Sequence, residues 1–217
     1  MAKKVKRPIA IGYEVTSISP GWIKRTVPST YADEGLKRIV LFYVINTPCI
    51  DLSSSGLPMS HYKWGKDVWR KSALKDQLFS AGNLERGKNF VSIKKTDEMK
   101  SACKSTGMDG KFYKNREKQK IVFYKPSRYN EFLAVFYHIR NALAHGRLAM
   151  YPIKDEEDIM FVMEDGIKKN GDFYVRSRMI LRKSTLLSWI DIIERKVENQ
   201  SCPAESPTNT AKHSRPC

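Results

Sequence analysis

Apolar residues recur at helical spacing in five stretches of the chain and alternate in a sixth. Leu36, Ile39, Val40, Tyr43 and Val44 form one stripe that ends at Asn46, before Pro48. This predicts a helix from Thr30, entered through the capping-box form Thr30-x-x-Asp33, with Asp33 and Glu34 at its positive end. The β-branched content of residues 38–45 leaves a strand as the alternative. A second helix over residues 62–81 carries Trp64, Val68, Leu74, Leu78 and Phe79 less regularly and stops at Gly82. A shorter one over 96–105 has Thr96 as cap, Asp97 and Glu98 in its first turn, and Gly107 past its end. The most regular stretch is 130–146, where Phe132, Val135, Phe136, Ile139, Ala142 and Leu143 share one broad face and Gly146 signals the C-cap. The last helix, 184–198, sets Leu186, Leu187, Ile190, Ile193 and Val197 on one side.

Residues 158–165 and 172–181 read as two strands, with Asn170-Gly171 between them as a hairpin turn. Val175, Met179 and Leu181 lie on one side of the second strand, and Arg176, Arg178 and Ile180 on the other. Residues 9–19 fit one short strand fenced by Pro and Gly, and 120–124 another. The expectation is a mainly α fold: a helical bundle with a C-terminal β-hairpin and a short N-terminal extended segment. Its parts are an N-terminal extension (1–29), one domain (30–198) with a basic insertion at about 83–128 and the hairpin at about 158–181, and a disordered tail (199–217).

Composition adds a partner. Of 217 residues, 41% are apolar and 29% charged, enough for one core. Lys and Arg number 39 against 23 Asp and Glu, a net charge of +16, which suits a polyanion. The longest apolar run, 39–45, has seven residues, too short to span a bilayer. The basic start is followed by no apolar region of a secretory signal. Cys49, Cys103, Cys202 and Cys217 are scattered without a CxxC pair, which argues against a zinc ribbon, a redox motif and a disulfide scaffold and fits a reducing cytoplasm.

Two stretches carry candidate chemistry. Between 110 and 129, Lys111, Lys114, Arg116, Lys118, Lys120, Lys125 and Arg128 face the single acid Glu117, with Phe112, Tyr113, Phe123, Tyr124 and Tyr129 interleaved. Cations engage phosphates and aromatics stack on unpaired bases, so the composition suits RNA; the alternative sends those aromatics into the core. On the 130–146 helix, Ala134, Tyr137, His138, Asn141 and His145 gather opposite the apolar face, with Arg140 on the flank. Taken alone, His145 complements the negative end of the helix and Arg140 pairs with some acid.

The string Tyr137-His138-Ile139-Arg140-Asn141-Ala142-Leu143-Ala144-His145-Gly146 resembles the signature of the HEPN superfamily: an Arg, four to six residues, then a His, with a polar residue right after the Arg. The likeness is sharp over roughly 128–148 and architectural elsewhere. It implies a HEPN-like helical bundle that often dimerises and, in active members, is a metal-independent endoribonuclease without cofactors. RNA supplies its own nucleophile, the 2′-OH. An imidazole such as His145 exchanges protons near neutral pH, and a guanidinium such as Arg140 offers a fork of donors to the phosphate. Asn141 would orient the His or bind a phosphate oxygen, Tyr137 and His138 are possible support, and Arg147 is placed to touch the RNA backbone. The implied products are a 2′,3′-cyclic phosphate and a 5′-hydroxyl. The implied setting is a toxin or phage-defence effector with a cognate antitoxin or regulatory protein.

The rivals are an inactive HEPN-like module that binds RNA or a protein, a metal hydrolase and a DNA-binding protein. His138 and His145, seven apart, sit about 10 Å apart along a helix, too far for one ion. Acids 155–158 read as a solvated turn, and no helix-turn-helix pattern supports DNA binding.

Overall fold

A computed structural model of the chain describes residues 13–14, 33–49, 56–71, 73–110, 112–114, 116–126, 129–169 and 172–198. In chain order, β1 is Tyr13–Glu14, α1 Glu34–Val40, α2 Val68–Lys71, α3 Leu74–Ala81, β2 Phe90–Ile93, α4 Met99–Ser105, β3 Lys120–Tyr124, α5 Glu131–Ala144, β4 Leu148–Pro152, β5 Ile159–Lys169, β6 Asp172–Arg182 and α6 Lys183–Glu198. Five strands form one mixed sheet in the order β2-β3-β6-β5-β4, and β1 lies beside β6. Among the described strands β2 and β3 run parallel, and the other pairs are antiparallel.

This corrects the expected mainly helical bundle. The protein is α/β, and its hairpin, β5 and β6, is the middle of a sheet rather than an appendage. Two strands carry no visible alternation. β2 lies within the expected basic insertion at about 83–128, and β4, Leu-Ala-Met-Tyr-Pro, follows α5 directly. Both faces of the sheet are covered, so β3 and the first half of β5 read as near-continuous apolar runs rather than in-out alternation.

Register sorts the sheet's side chains. Phe90, Ile121, Phe123, Met150, Phe161, Met163, Met179 and Leu181 point to one face and join the core beneath α1, α3, α5 and α6. Val122, Met160, Val162 and Ile180 point to the other, where α4 covers them with Met99, Ala102 and Cys103, together with Met108 and Phe112. The main core is aromatic. Phe79, Phe90 and Phe132 meet edge on at 4.8 and 4.9 Å about Phe79, and Phe132 and Phe136 flank Trp189 at 5.6 and 5.9 Å. Trp189 Nε1 donates to the Leu78 carbonyl (2.8 Å) and the Tyr43 hydroxyl to that of Leu186 (3.1 Å), so neither polar tip is stranded.

Elements also differ from expectation at their ends. The first helix is capped by Asp33, whose side chain accepts from the Leu36 amide, and it continues as a π-helical turn over Leu41–Ile45; the helix, not the strand, forms there. Thr30 lies outside the described residues, as do the tail 199–217 and the N-terminal extension apart from β1. The helix expected over 62–81 is broken: a 3-10 turn covers Met59–Tyr62, Lys63 takes a left-handed φ of 59°, and α2 and α3 follow as separate pieces. That break accounts for the irregular apolar spacing of the segment.

Candidate functional site

α5 begins at Asn130, whose side chain accepts from the amides of Phe132 (2.8 Å) and Leu133 (3.3 Å). It then runs over the near face of the sheet, within the main core. Phe132, Val135, Phe136, Ile139 and Ala142 are buried as the periodicity predicts, but so is His138, at 1% exposure. The polar side of the helix therefore faces the sheet. Solvent reaches mainly the last turn, where Ala144 and His145 are exposed. Gly146 ends the helix at φ 62°, and the Arg147 amide reaches back to the Ala142 carbonyl (2.7 Å). The chain turns straight into β4.

His145 is the C-cap residue, held through its backbone amide by the Asn141 carbonyl (3.0 Å), and it is exposed. Arg140 is half-buried, and its Nη1 donates to Asn141 Oδ1 (3.5 Å). Its charge also acts on the buried Cys49: burial pushes that thiol up to about 11 against the opposing pull of Arg140, so Cys49 stays a thiol at neutral pH. Asn141 Nδ2 in turn donates to Asp165 Oδ2 on β5 (3.4 Å). The same Oδ2 lies 2.6 Å from His138 Nδ1, and His138 Nε2 donates to the Tyr124 carbonyl on β3 (2.8 Å). Arg140, Asn141, Asp165, His138 and the β3 backbone thus form one continuous polar chain that runs from the last turns of α5 into the buried sheet.

Arg147 joins this end. Its guanidinium lies 3.5 Å from the Phe173 ring centre on β6, and its carbonyl accepts from the Glu164 amide (3.0 Å). Burial lowers its pKa, opposed by the charges of Glu164 and Asp165. Tyr137 is half-buried with its ring edge-on to His138 at 5.5 Å.

The basic stretch does not converge on this site. Lys120 Nζ donates to the Thr106 carbonyl (2.9 Å), and Lys125, nearly buried, to that of Tyr129 (2.8 Å), so both serve the fold. Arg116 donates to the Tyr113 carbonyl (3.0 Å) and stacks on Tyr151 at 4.1 Å, on the face of the sheet opposite α5. Phe112 and Phe123 are buried, which leaves them unable to stack on bases. Lys114 and Lys118 are exposed; Lys111 and Arg128 lie outside the described residues. His138, expected on an open polar strip, is instead locked between two strands.

Sequence reading misses Asp165. A signal for it exists: Glu164 and Asp165 interrupt an apolar strand, and two adjacent acids in a buried strand each require a partner. Glu164 finds Arg178 (Nε to Oε2, 2.9 Å) on the far face of the sheet, and Asp165 finds His138 on the near one. Among the described residues no group of three or more His, Cys, Asp or Glu is placed to hold a metal ion, and no helix is long and apolar enough to cross a membrane. Comparison with protein families, with curated proteins and with solved structures finds no match.

Proposed function

We propose that the protein is a metal-independent endoribonuclease whose site is the exposed end of α5, with HEPN-type chemistry carried on an α/β scaffold. The observation that supports this most is that α5 ends with an exposed imidazole, His145, and carries five residues earlier a half-buried, hydrogen-bonded guanidinium, Arg140. In the reaction the 2′-oxygen attacks phosphorus, the bond from phosphorus to the 5′-oxygen breaks, and one proton moves from the first oxygen to the second. An imidazole at the position of His145 takes the first proton. Arg140 binds the phosphate oxygens as charge builds on them, its guanidinium already aimed by Asn141. Arg147, held on Phe173, is the neighbouring cation for the RNA backbone. The net charge of +16 draws the strand in.

Departure of the 5′-oxygen requires a second proton carrier, and a second copy of the chain supplies it in this reading. Five residues at 100° each set Arg140 and His145 about 140° apart around α5, so one copy aims them to different sides. The large apolar side chains most exposed among the described residues, Val40, Leu41 and Ile45, lie on one helix (42%, 56% and 58% exposed). Four residues past that helix is Cys49, whose thiol feels the charge of Arg140. A homodimer through this stripe brings the two α5 ends together.

A non-cleaving RNA-binding module is the second reading, favoured by the half-burial of Arg140. Labelled RNA and DNA of the same sequence, incubated with the protein in EDTA, separate the two. Cleavage of RNA alone, leaving 2′,3′-cyclic phosphate and 5′-hydroxyl ends, is the expected result. Binding without cleavage selects the module, and cleavage only after a divalent ion is added overturns the proposal.

A further inference from the structure

Asp165 sits in the middle of the sheet at 2% exposure, yet its carboxyl group turns toward the helix that carries the proposed site. Alternation along β5 sets that direction, since Asp165 follows Phe161 and Met163 on the same face, and a register irregularity comes directly after it, between Asp165 and Gly166. Asp165 pairs with Ser177, but Gly166 pairs with Val175, so Arg176 is left over and the strands twist locally. Gly166 is required for this: a Cβ there would overlap the Tyr174 carbonyl oxygen.

The direction matters because of what the oxygen does. The Tyr124 carbonyl can only accept, so His138 Nε2 carries a hydrogen, and one proton lies between His138 Nδ1 and Asp165 Oδ2. With that oxygen fixed, it accepts from Asn141, and only the NH2 end of the amide can donate. The opposite end, Oδ1, is thereby turned to Arg140, where only an acceptor suits a guanidinium. Reversing the amide would set its oxygen against Asp165 and its NH2 against Arg140, two repulsive contacts in place of two hydrogen bonds.

We infer that Asp165 is a positioning residue of the proposed nuclease: anchored by His138, it fixes the amide orientation of Asn141 and through it aims the Arg140 guanidinium. This rests on the endoribonuclease reading, and it means that the sheet, rather than α5 alone, sets the site's geometry.

Two readouts on the full-length protein test it and fail separately from that reading. In single-turnover cleavage of RNA, Asp165→Asn and Asn141→Leu each lower kcat by about tenfold or more with KM within about twofold, and the double variant is no slower than Asn141→Leu alone. A merely structural carboxyl predicts losses that multiply, or a raised KM, and either result overturns the inference. The second readout needs no activity: the Arg140 Nε–H signal in a nitrogen-15 NMR spectrum shifts in both single variants. If wild-type protein cuts no RNA, the nuclease reading falls while this spectrum still decides the positioning. An Arg140 signal unmoved by both substitutions overturns it. Asn141→Leu, at a half-buried surface position, keeps the test available should Asp165→Asn fail to fold.

Discussion

At the scale of single residues, the two adjacent acids of β5 show how one strand serves both the fold and the proposed site. Glu164 is buried against Arg178, which also donates to the Met108 carbonyl (2.5 Å) and lies over Phe112 at 4.6 Å. Burial raises the Glu164 pKa, and the Arg178 charge and hydrogen bond oppose that rise. Glu164→Gln therefore leaves a buried guanidinium without its counter-charge, and urea unfolding should show a loss of about 3–5 kcal/mol. Replacing both partners by apolar residues of similar volume, as in Glu164→Leu with Arg178→Met, should recover most of that loss. An unchanged midpoint for Glu164→Gln would show that the pair carries no such role. The sequence displays Arg178 only as a charge on the polar side of a strand; nothing local says that α4 and the Phe112 turn cover that side. His138 is the same case, since periodicity locates it on α5 but not the strands that enclose it.

Individual elements are legible in proportion to how local their signals are. α5, α6, α4 and the strands β5 and β6 form within a few residues of their expected limits, but a 3-10 turn over Thr96–Glu98 stands where Thr96 is expected to cap α4, and Asn170-Gly171 lie outside the described residues. β2 and β4 have four and five residues, and pairing with other strands specifies them, which no window on the chain reveals. Entry into α1 depends on Asp33, which caps the helix and also pairs with Lys183 at the start of α6. The Lys183 hydrogen bond, followed by that from the Leu36 amide, holds its pKa below the ordinary carboxylate value. A lowered pKa means that the ionised form favours the folded state. Its contribution is therefore complete above the ordinary value and lost as pH falls through the lowered one. Asp33→Asn keeps a capping oxygen and removes the charge. The stability gap between wild type and this variant should be largest near neutrality, below about 1 kcal/mol because the pair is exposed, and should close in strong acid. A gap that widens in acid would contradict the assignment. At the hairpin, Gly166→Ala forces a Cβ onto the Tyr174 carbonyl, so calorimetry should record a loss of about 3 kcal/mol or a strand that has slipped.

For the whole molecule, the expected bundle gives way to a sheet covered on both faces, and the proposed site sits where α5 leaves that sheet. The short string that resembles the HEPN signature is legible because it lies on one helix and needs no tertiary knowledge. The basic stretch misleads for the opposite reason: its side chains are near in sequence, but the fold turns Lys120 and Lys125 onto backbone carbonyls and Arg116 onto Tyr151. Assembly is the next level. Leu41→Glu combined with Ile45→Glu charges the exposed stripe without touching the core. Sedimentation should show a dimer for wild type and a monomer for the variant, with RNA cleavage lost alongside. A wild-type protein that is monomeric while cleaving at full rate would remove the second copy from the mechanism.

The most direct measurement is the single-turnover rate of RNA cleavage in EDTA for wild type, His145→Ala and Arg140→Ala, each shown by circular dichroism to be folded. The account predicts metal-free cleavage by wild type and a fall of about a hundredfold or more in each variant. Either folded variant cutting at the wild-type rate would contradict it.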